Sequence, residues 1–270
     1  REGTLWTCFA WDETTSWGLF IDGADAGGEV RSLLSWMKSR GHLDTDKTFI
    51  VEAGANIGNS TIPLAQQTEC KILAFEPSPE NFALLQRNVA QNGLDERIIC
   101  VQKAIMDKKG TAQLALQEGG SGGAEIHLPK TKLGLEAKGH QKKAVVEVQS
   151  DTLMALLKEQ KISHDQVAFV WSDIQGSEPF LIEEGEALWS SGVPLYIEIE
   201  PVLLESKSSI DGFVALIEKY VSFYRTIQAL VEKGSEAELE PISGIASIIE
   251  KQSRHRSHTE VLLIPKVQGK

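Results

Sequence analysis

Hydrophobic positions along the chain change their spacing repeatedly after residue 48. Short apolar runs rich in β-branched residues alternate with longer segments in which apolar residues recur every three or four positions. The first spacing is typical of buried strands, and the second is typical of amphipathic helices. This alternation predicts an α/β fold with a mostly parallel sheet and helices on both faces. The predicted strands are residues 49–53, 71–76, 98–105, 110–116, 144–149, 167–174, 194–200 and 259–265.

The segment between Ser78 and Gly93 carries the clearest helix pattern. Ser78 can cap its first turn, Phe82, Leu85 and Val89 fall on one face, and Gly93 can end it. Residues 222–257 show no clear pattern. Other helices are predicted from about residue 58, over residues 151–160 and from about residue 209.

Two segments fall outside this alternation. Residues 1–48 are predicted to form an N-terminal extension, a hairpin and a helix packed on the core, and residues 49–270 form the main domain. Residues 117–143 are glycine-rich and lack periodicity. A connection of that length inside a compact domain predicts a lid-like insertion.

The charge balance narrows the choice of partner. The 270 residues include 38 acids against 27 lysines and arginines, which gives a formal charge of -11. A net-negative surface disfavours nucleic acids and anionic membranes as partners. No apolar run reaches the roughly 20 residues that a membrane helix needs, and the three cysteines have no paired spacing. We therefore expect a cytoplasmic protein that binds a small molecule, with no nucleic-acid or membrane partner.

The loop after the first strand reads "EAGANIG" at residues 52–58. Ligands of parallel sheets bind beyond the carboxyl ends of the strands, where this loop lies. A dinucleotide fingerprint needs a glycine where Asn56 stands, and Glu52 would place a carboxylate near a pyrophosphate. The loop also lacks the Gly-Lys-Ser or Gly-Lys-Thr of a P-loop. S-adenosylmethionine carries a sulfonium and an ammonium but no phosphate, so it meets these constraints.

A second acid favours the same cofactor. Glu76 ends the second strand, 24 residues after Glu52, close to the roughly 20-residue offset of acids that bind ribose hydroxyls. The alternative interpretation is a plain tight turn at Gly54 and Gly58 with a solvated acid at the end of the next strand. The order of strand, loop, helix, strand and acid favours the cofactor.

Three motifs, in this order, resemble the FkbM family of S-adenosylmethionine-dependent methyltransferases. They are "EAGANIG" at 52–58, "FEP" at 75–77 and "DIQGSE" at 173–178. The resemblance covers about residues 49–201 and implies a class I methyltransferase, with a Rossmann-like, seven-stranded, mostly parallel sheet and one antiparallel strand near its end. It also implies methyl transfer to a hydroxyl oxygen of a sugar, a polyketide or another secondary metabolite. Two positions depart from the family pattern: Glu52 replaces the commoner Asp, and Gln175 stands where Glu is usual.

The resemblance also implies a cofactor site. The loop after the first strand would line the methionine side, Glu76 would hold the ribose, and the backbone of Ala104 would approach the adenine. The cofactor-binding residues implied in this way are Glu52, Gly54, Ala55, Asn56, Gly58, Glu76, Pro77, Ala104 and Asp173.

Further acids mark where the methyl acceptor would lie. Asp173 ends a strand beside the cofactor, and Glu198 and Glu200 alternate with apolar residues, so their carboxylates share a face. A hydroxyl must lose its proton to react, which makes these three the predicted catalytic residues. They could instead bind a sugar hydroxyl or a divalent metal, and no metal site is assigned. Glu178 could serve the site or begin a helix, and His258 is interpreted as part of a solvated turn.

Two other functions stay open at this point. The chain begins at Arg1 rather than at methionine, and Gln175 replaces an acid. These features suggest, as an alternative to the methyltransferase, a cofactor-binding module of a larger biosynthetic assembly, with weak or no catalysis. Part of a multidomain enzyme and a homo-oligomer are the two expected assemblies. An NAD-dependent oxidoreductase is disfavoured by Asn56.

Overall fold

Strands and helices alternate along most of the chain in the computed structural model, which describes residues 3–21, 26–44, 46–128 and 142–266. The strands are β1 (Phe49–Ala53), β2 (Lys71–Phe75), β3 (Ile98–Val101), β4 (Ala104–Ile105), β5 (Gly110–Gln117), β6 (Glu125–His127), β7 (Lys142–Asp151), β8 (Val167–Ser172), β9 (Leu195–Ile199), β10 (Val221–Thr226), β11 (Glu240–Pro241) and β12 (Thr259–Pro265). The helices are α1 (Thr15–Ile21), α2 (Gly27–Ser39), α3 (Thr61–Gln67), α4 (Pro79–Gln91), α5 (Leu153–Glu159), α6 (Glu178–Glu184), α7 (Glu186–Ser190), α8 (Pro201–Glu205), α9 (Ile210–Tyr220), α10 (Ile227–Lys233) and α11 (Ile245–His255).

The main sheet contains eight strands in the order β11-β10-β12-β9-β8-β1-β2-β3. The strands from β9 to β3 are parallel to one another. β12 is antiparallel to both of its neighbours, β9 and β10. The predicted α/β class, a mostly parallel sheet with an antiparallel strand near its end, is therefore confirmed, and the edge strand β11 is a second antiparallel member beside β10. The strand count differs from seven because the two-residue strand β11 adds an eighth member at the edge.

Successive residues of a strand point to opposite sides of the sheet. Because the central strands are mostly apolar, apolar side chains cover both faces. Val51 and Val170 face a core that includes α5, α6, α7, α9 and α11. Ile50 and Phe169 face a second core formed with α2, α3, α4 and α10. The central strands are thus buried on both faces, which explains why they read as continuous apolar runs.

The helices are short relative to a bilayer. The longest among the described residues, α2 and α4, have 13 residues each. None of the helices in the described ranges is long and apolar enough to cross a membrane.

A second sheet of four strands, in the order β4-β7-β5-β6, lies beside the main one. The sequence pattern predicted one strand over residues 98–105, and that prediction is wrong. The chain turns at Lys103, whose N–H bonds to the carbonyl of Val101 at 3.0 Å. The following residues, Ala104 and Ile105, then pair with β7 instead of continuing along β2. An apolar run cannot reveal this change of partner, since both sheets bury the residues.

The N-terminal extension also differs from its predicted form. In residues 3–21, 26–44 and 46–48 the chain forms α1 and α2 and no strand, so the hairpin is wrong. α2 instead buries Val30, Leu33 and Met37 against the main sheet. The central part of the lid-like insertion, residues 129–141, lies outside the described residues.

Other predictions of elements are confirmed. β12 and β5 appear at their predicted places, and α4 begins after Ser78, whose hydroxyl accepts a hydrogen bond from the N–H of Asn81 at 3.5 Å. The helix expected from about Gly58 begins at Thr61. Residues 222–257, which had no clear pattern, contain β10, α10, β11 and α11.

Asp12 joins the N-terminal extension to the loop between β5 and β6. Its carboxylate is 2% exposed and accepts hydrogen bonds from the hydroxyls of Thr14 at 2.6 Å, Ser16 at 2.8 Å and Ser121 at 2.5 Å. Burial alone would raise the pKa of Asp12, but the bonds from Ser121, Thr14 and Ser16 outweigh it and lower the pKa to about 2. The extension is therefore held to the second sheet by an ionised buried carboxylate.

Replacing this carboxylate by an amide should weaken the protein in a pH-dependent way. For Asp12→Asn we expect the free energy of unfolding at pH 7 to fall by about 1 to 2 kcal/mol, after allowance for solvent screening. A carboxyl whose pKa is lowered by folding stabilises above its unfolded pKa, so the difference from wild type should shrink as the pH falls from about 4 to about 2.

Urea unfolding at several pH values measures this difference. Asp107→Asn, at an exposed position, is the matched control and should leave stability within about 0.5 kcal/mol of wild type. A difference between Asp12→Asn and wild type that stays constant from pH 7 to pH 2 would contradict the role of the ionised carboxylate.

Candidate active site

A cavity of about 860 Å³, including its open mouth, lies at the carboxyl ends of β1, β2 and β8. The second sheet and the start of α1 close its far side. The residues that line it are Thr15, Ala53, Gly54, Ala55, Asn56, Asn59, Ser60, Phe75, Glu76, Pro77, Asn81, Lys103, Ala104, Ile105, Leu114, Ser121, Gly122, Ala124, Ile126, Asp173, Ile174, Gln175 and Ser177.

The loop after β1 touches the loop after β8 at Gly54. Gly54 has a φ of +87°, and a Cβ built on it would lie 1.8 Å from the carbonyl oxygen of Asp173. The N–H of Asp173 in turn donates to the carbonyl of Ala53 at 2.9 Å. Only glycine fits this contact. Gly58, at φ +101°, does not line the cavity, and a Cβ there would meet Leu85 of α4 at 3.2 Å.

Glu52 lies beneath the loop instead of in the cavity. Its side chain is fully buried, and one carboxylate oxygen accepts a hydrogen bond from the hydroxyl of Ser60, which does line the cavity. Burial raises the pKa of Glu52 to about 7. Glu52, which the resemblance places along the methionine side, is therefore connected to the cavity through Ser60 and does not line it.

Two amide oxygens in the cavity wall lack partners. The side-chain oxygens of Asn56 and Asn59 are buried and accept no hydrogen bond from the described residues. The amide nitrogen of Asn56 donates to the hydroxyl of Thr15 at 3.2 Å, which fixes the orientation of the group. A buried acceptor without a donor is costly. These oxygens suit a ligand that carries N–H or ammonium donors, as the amino-acid tail of S-adenosylmethionine does.

Glu76 follows directly after β2 and lines the cavity wall. Its carboxylate accepts hydrogen bonds from the N–H groups of Asn56 and Ser78, each at 2.8 Å. Burial raises the pKa of Glu76 to about 7, although these bonds oppose the rise. Pro77 and Ala104 lie in the same wall. The acid predicted to hold a ribose is therefore in the cavity with its carboxylate fixed by backbone donors.

Gln175 brings two of the predicted catalytic acids together. Its side-chain N–H₂ donates to Asp173 at 2.8 Å and to Glu198 at 3.0 Å. Burial raises the pKa of both carboxyls, and the charge of Asp173 raises that of Glu198 further. The amide that replaces the usual acid thus serves as a donor to both carboxyls, a role that the sequence did not indicate.

The third predicted acid, Glu200, stands apart from this pair. It is buried at the start of α8 and does not line the cavity. Its charge raises the pKa of Glu198. Glu178 is also buried outside the cavity, where it accepts a hydrogen bond from the N–H of Ile174 at 3.0 Å at the start of α6. Glu178 therefore fixes the loop after β8.

His258, in the turn before β12, and Glu260, on β12, lie next to Glu198. His258 lies 3.9 Å from a carboxylate oxygen of Glu198 and 3.5 Å from Glu260. Glu198 and Glu260 are direct cross-strand partners, and the three side chains offer ligand atoms within 4.8 Å of one another. The sequence signal was weak, since a His-x-Glu spacing at the start of a strand is common. His258 was assigned to a solvated turn, and its side chain is in fact 52% exposed.

The N-terminal extension supplies a further acid. Glu29 of α2 accepts a hydrogen bond from the hydroxyl of Tyr196 at 3.2 Å. Burial raises the pKa of Glu29 to about 7, and the charges of Glu260 and Asp173 contribute to the rise. No sequence pattern pointed to Glu29, because it lies far along the chain from the strands that it meets.

The strand order, the cavity at the carboxyl ends and the acid at the end of β2 define a class I methyltransferase. The chain matches the family model of the methyltransferase FkbM domain over residues 52–236. It therefore belongs to the FkbM methyltransferase family, as its motifs predicted, and its cofactor is S-adenosylmethionine.

Individual relatives cover less of the chain. "Methyltransferase sdnD" of Sordaria araneosa is 39% identical over 67 residues, 24% of this chain and 26% of that protein. "Methyltransferase 1" of Beauveria bassiana (strain ARSEF 2860) is 47% identical over 45 residues, 16% of this chain and 18% of that protein. A solved structure titled "StiE O-MT residues 961-1257" has 12% identity and a TM-score of 0.45, and the match covers 90% of this chain and 74% of that one.

The contact at Gly54 gives a testable prediction. Gly54→Ala should lower the free energy of unfolding by at least about 3 kcal/mol and abolish S-adenosylmethionine binding, because the new methyl group would overlap the Asp173 carbonyl. Gly93→Ala is the matched control: Gly93 also has a positive φ, +65°, but no atom lies within 4 Å of a Cβ there.

Gly93→Ala should lower the free energy of unfolding by only about 1 to 2 kcal/mol, the cost of placing a residue with a Cβ at a positive φ. It should keep cofactor binding. Chemical unfolding and calorimetric titration with S-adenosylmethionine measure the two effects. Equal costs for the two variants would show that the contact between the loops does not shape the site.

Proposed function

We propose that this FkbM methyltransferase transfers the methyl group of S-adenosylmethionine to a hydroxyl oxygen of a small molecule, such as a sugar, a polyketide or another secondary metabolite. The observation that carries the proposal is the carboxyl of Asp173 at the cavity wall, which Gln175 bridges to the carboxyl of Glu198, a residue that does not itself line the cavity. An acceptor hydroxyl needs a group of this kind, because it must lose its proton as it reacts.

Different cavity residues would contact different parts of the cofactor. S-adenosylmethionine supplies, when bound, a methyl group on a positively charged sulfur. The unpartnered oxygens of Asn56 and Asn59 would accept the ammonium hydrogens, and Glu76 would accept the ribose hydroxyls. The backbone at Ala104 would contact the adenine. Gly54 lets the backbone pack against the amino-acid tail, while Glu52 and Gly58 support this wall from behind.

Asp173 is the proposed general base. It lines the cavity, and the Gln175 amide favours its ionised form. Glu198 retains its proton more readily, since burial and the charge of Asp173 both raise its pKa. In this proposal the two carboxyls share one proton, with Glu198 protonated and Asp173 ionised to accept the hydroxyl proton. Glu200 is the third member of the proposed group of acids, with Asp173 and Glu198, because its charge raises the pKa of Glu198.

Asp173→Asn separates catalysis from cofactor binding. An amide cannot accept the hydroxyl proton, so kcat should fall about 100-fold to 10,000-fold, while the Kd for S-adenosylmethionine should stay within about threefold of wild type. Calorimetric titration measures the Kd, and methyl transfer to a panel of hydroxylated sugars and polyketides measures kcat. Asp107→Asn, at an exposed position, is the control.

The result for Asp173→Asn also decides whether Asp173 acts as a general base or binds the cofactor. A parallel loss of affinity and turnover would assign Asp173 to cofactor binding instead. A wild-type protein that binds S-adenosylmethionine but methylates no hydroxyl would favour a cofactor-binding module.

Removing the amide of Gln175 should move the pH dependence of turnover. Burial raises the pKa of Asp173, and the hydrogen bond from Gln175 counteracts that rise. Turnover should increase with pH as Asp173 ionises, and Gln175→Leu should move this increase to higher pH. The measurement is kcat from pH 5 to pH 9 at saturating cofactor. An unchanged profile in the variant would contradict the role of Asp173 as base.

A further inference from the structure

Lys207 is a lysine buried beneath the cavity, a rare position for this residue type. It lies two residues after α8, and its side chain is 1% exposed. It does not line the cavity, so it has no direct contact with the cofactor site. Its position therefore calls for another explanation.

The ammonium of Lys207 contacts the loop after β8 and a strand of the second sheet. Its Nζ donates to the backbone carbonyl of Gln175 at 2.9 Å and to the hydroxyl of Ser206 at 3.3 Å. It also lies 3.8 Å from a carboxylate oxygen of Glu125, whose side chain is 1% exposed. Burial lowers the pKa of Lys207, while the charges of Glu125 and Glu178 oppose that change.

These contacts connect the second sheet to the loop after β8, which both contribute residues to the cavity lining. Glu125 belongs to β6, and its neighbours Ala124 and Ile126 line the wall formed by the second sheet. Gln175 lies in the loop after β8, on the wall of the main sheet. Lys207 is therefore placed to set the separation of the two walls.

The loop needs such a contact because its backbone is constrained at this point. Gln175 has a φ of +52°, in the left-handed region that residues with a Cβ rarely adopt. Gly176 follows with a φ of +86°, and a Cβ on it would lie 2.6 Å from the backbone of Leu203. Lys207 thus donates to the backbone carbonyl of Gln175, the same residue whose side chain reaches Asp173.

We infer that Lys207 is a positioning residue for the acceptor site. Its bond to the carbonyl of Gln175 holds the left-handed conformation in which the Gln175 amide reaches Asp173 and Glu198 together. Its ion pair with Glu125 fixes the second sheet against that loop. The inference rests on the proposed function for its kinetic consequences, but the orientation of Gln175 can be tested without turnover.

The test compares three variants with wild type. Lys207→Met removes the donor to Gln175 and the ion pair between Lys207 and the buried Glu125, so both stability and kcat should fall. Glu125→Gln with Lys207→Met removes one charge of each sign, so the buried net charge is unchanged and stability should recover. Its kcat should nevertheless stay at least about tenfold below wild type, because the carbonyl of Gln175 still lacks its donor. Lys219→Met, at a lysine whose side chain is 58% exposed, is the control and should change neither quantity.

A readout independent of turnover completes the design. The carboxyl pKa of Asp173, measured by NMR with ¹³C-labelled aspartate, should rise in Lys207→Met and in the double variant, because the amide of Gln175 no longer stabilises the ionised form. His258 and Glu260, which also act on Asp173, are unchanged in every variant. The Kd for S-adenosylmethionine reports the separation of the walls and should increase in both variants.

The outcomes separate the inference from the proposed function. Recovery of both stability and kcat in the double variant would overturn the inference, since Lys207 would then only neutralise Glu125. A carboxyl pKa of Asp173 that matches wild type in both Lys207 variants would also overturn it. If wild type methylates no hydroxyl while the pKa of Asp173 still rises in the variants, the proposed acceptor class fails and the positioning role stands.

Discussion

The contact between Gly54 and the carbonyl of Asp173 is the constraint on which the site depends. A Cβ at Gly54 would lie 1.8 Å from that oxygen, so the loops after β1 and β8 can meet only because one side chain is absent. Their meeting places the loop after β1 beside Asp173, the acid that follows β8. In the proposed mechanism, the site for the methyl donor and the site for proton removal therefore lie side by side, so that both reactants are held in one geometry.

Buried acids give this site its electrostatic character. Glu52, Glu76, Asp173 and Glu198 all have raised pKa values, chiefly because burial disfavours the charged form. Each receives hydrogen bonds from the protein, from Ser60, from backbone N–H groups or from Gln175. A positively charged cofactor suits such a site, since it offsets charge that the protein compensates only in part.

Segments outside the strand-and-helix alternation complete the cavity. Thr15 comes from α1, and Ser121, Gly122 and Ile126 come from the second sheet and its loop. Asp12 joins these two segments through its bond to Ser121. The main sheet supplies the cofactor loop and the acids, whereas the far wall depends on the packing of the extension and the second sheet.

The sequence by itself determined the central fold, the cofactor loop and the acids at the strand ends. Buried strands read as apolar runs, and the Glu76 position follows from the order of the elements, because both signals are local along the chain. The hairpin expected before residue 49 and the single strand over 98–105 were wrong, and Glu52 does not line the cavity, for one reason. Each depended on which distant segment a residue would face. Tertiary structure alone decided that Gln175 bridges Asp173 and Glu198 and that Lys207 contacts Gln175. These contacts join residues up to 32 positions apart, and they depend on a left-handed backbone conformation that no periodicity encodes.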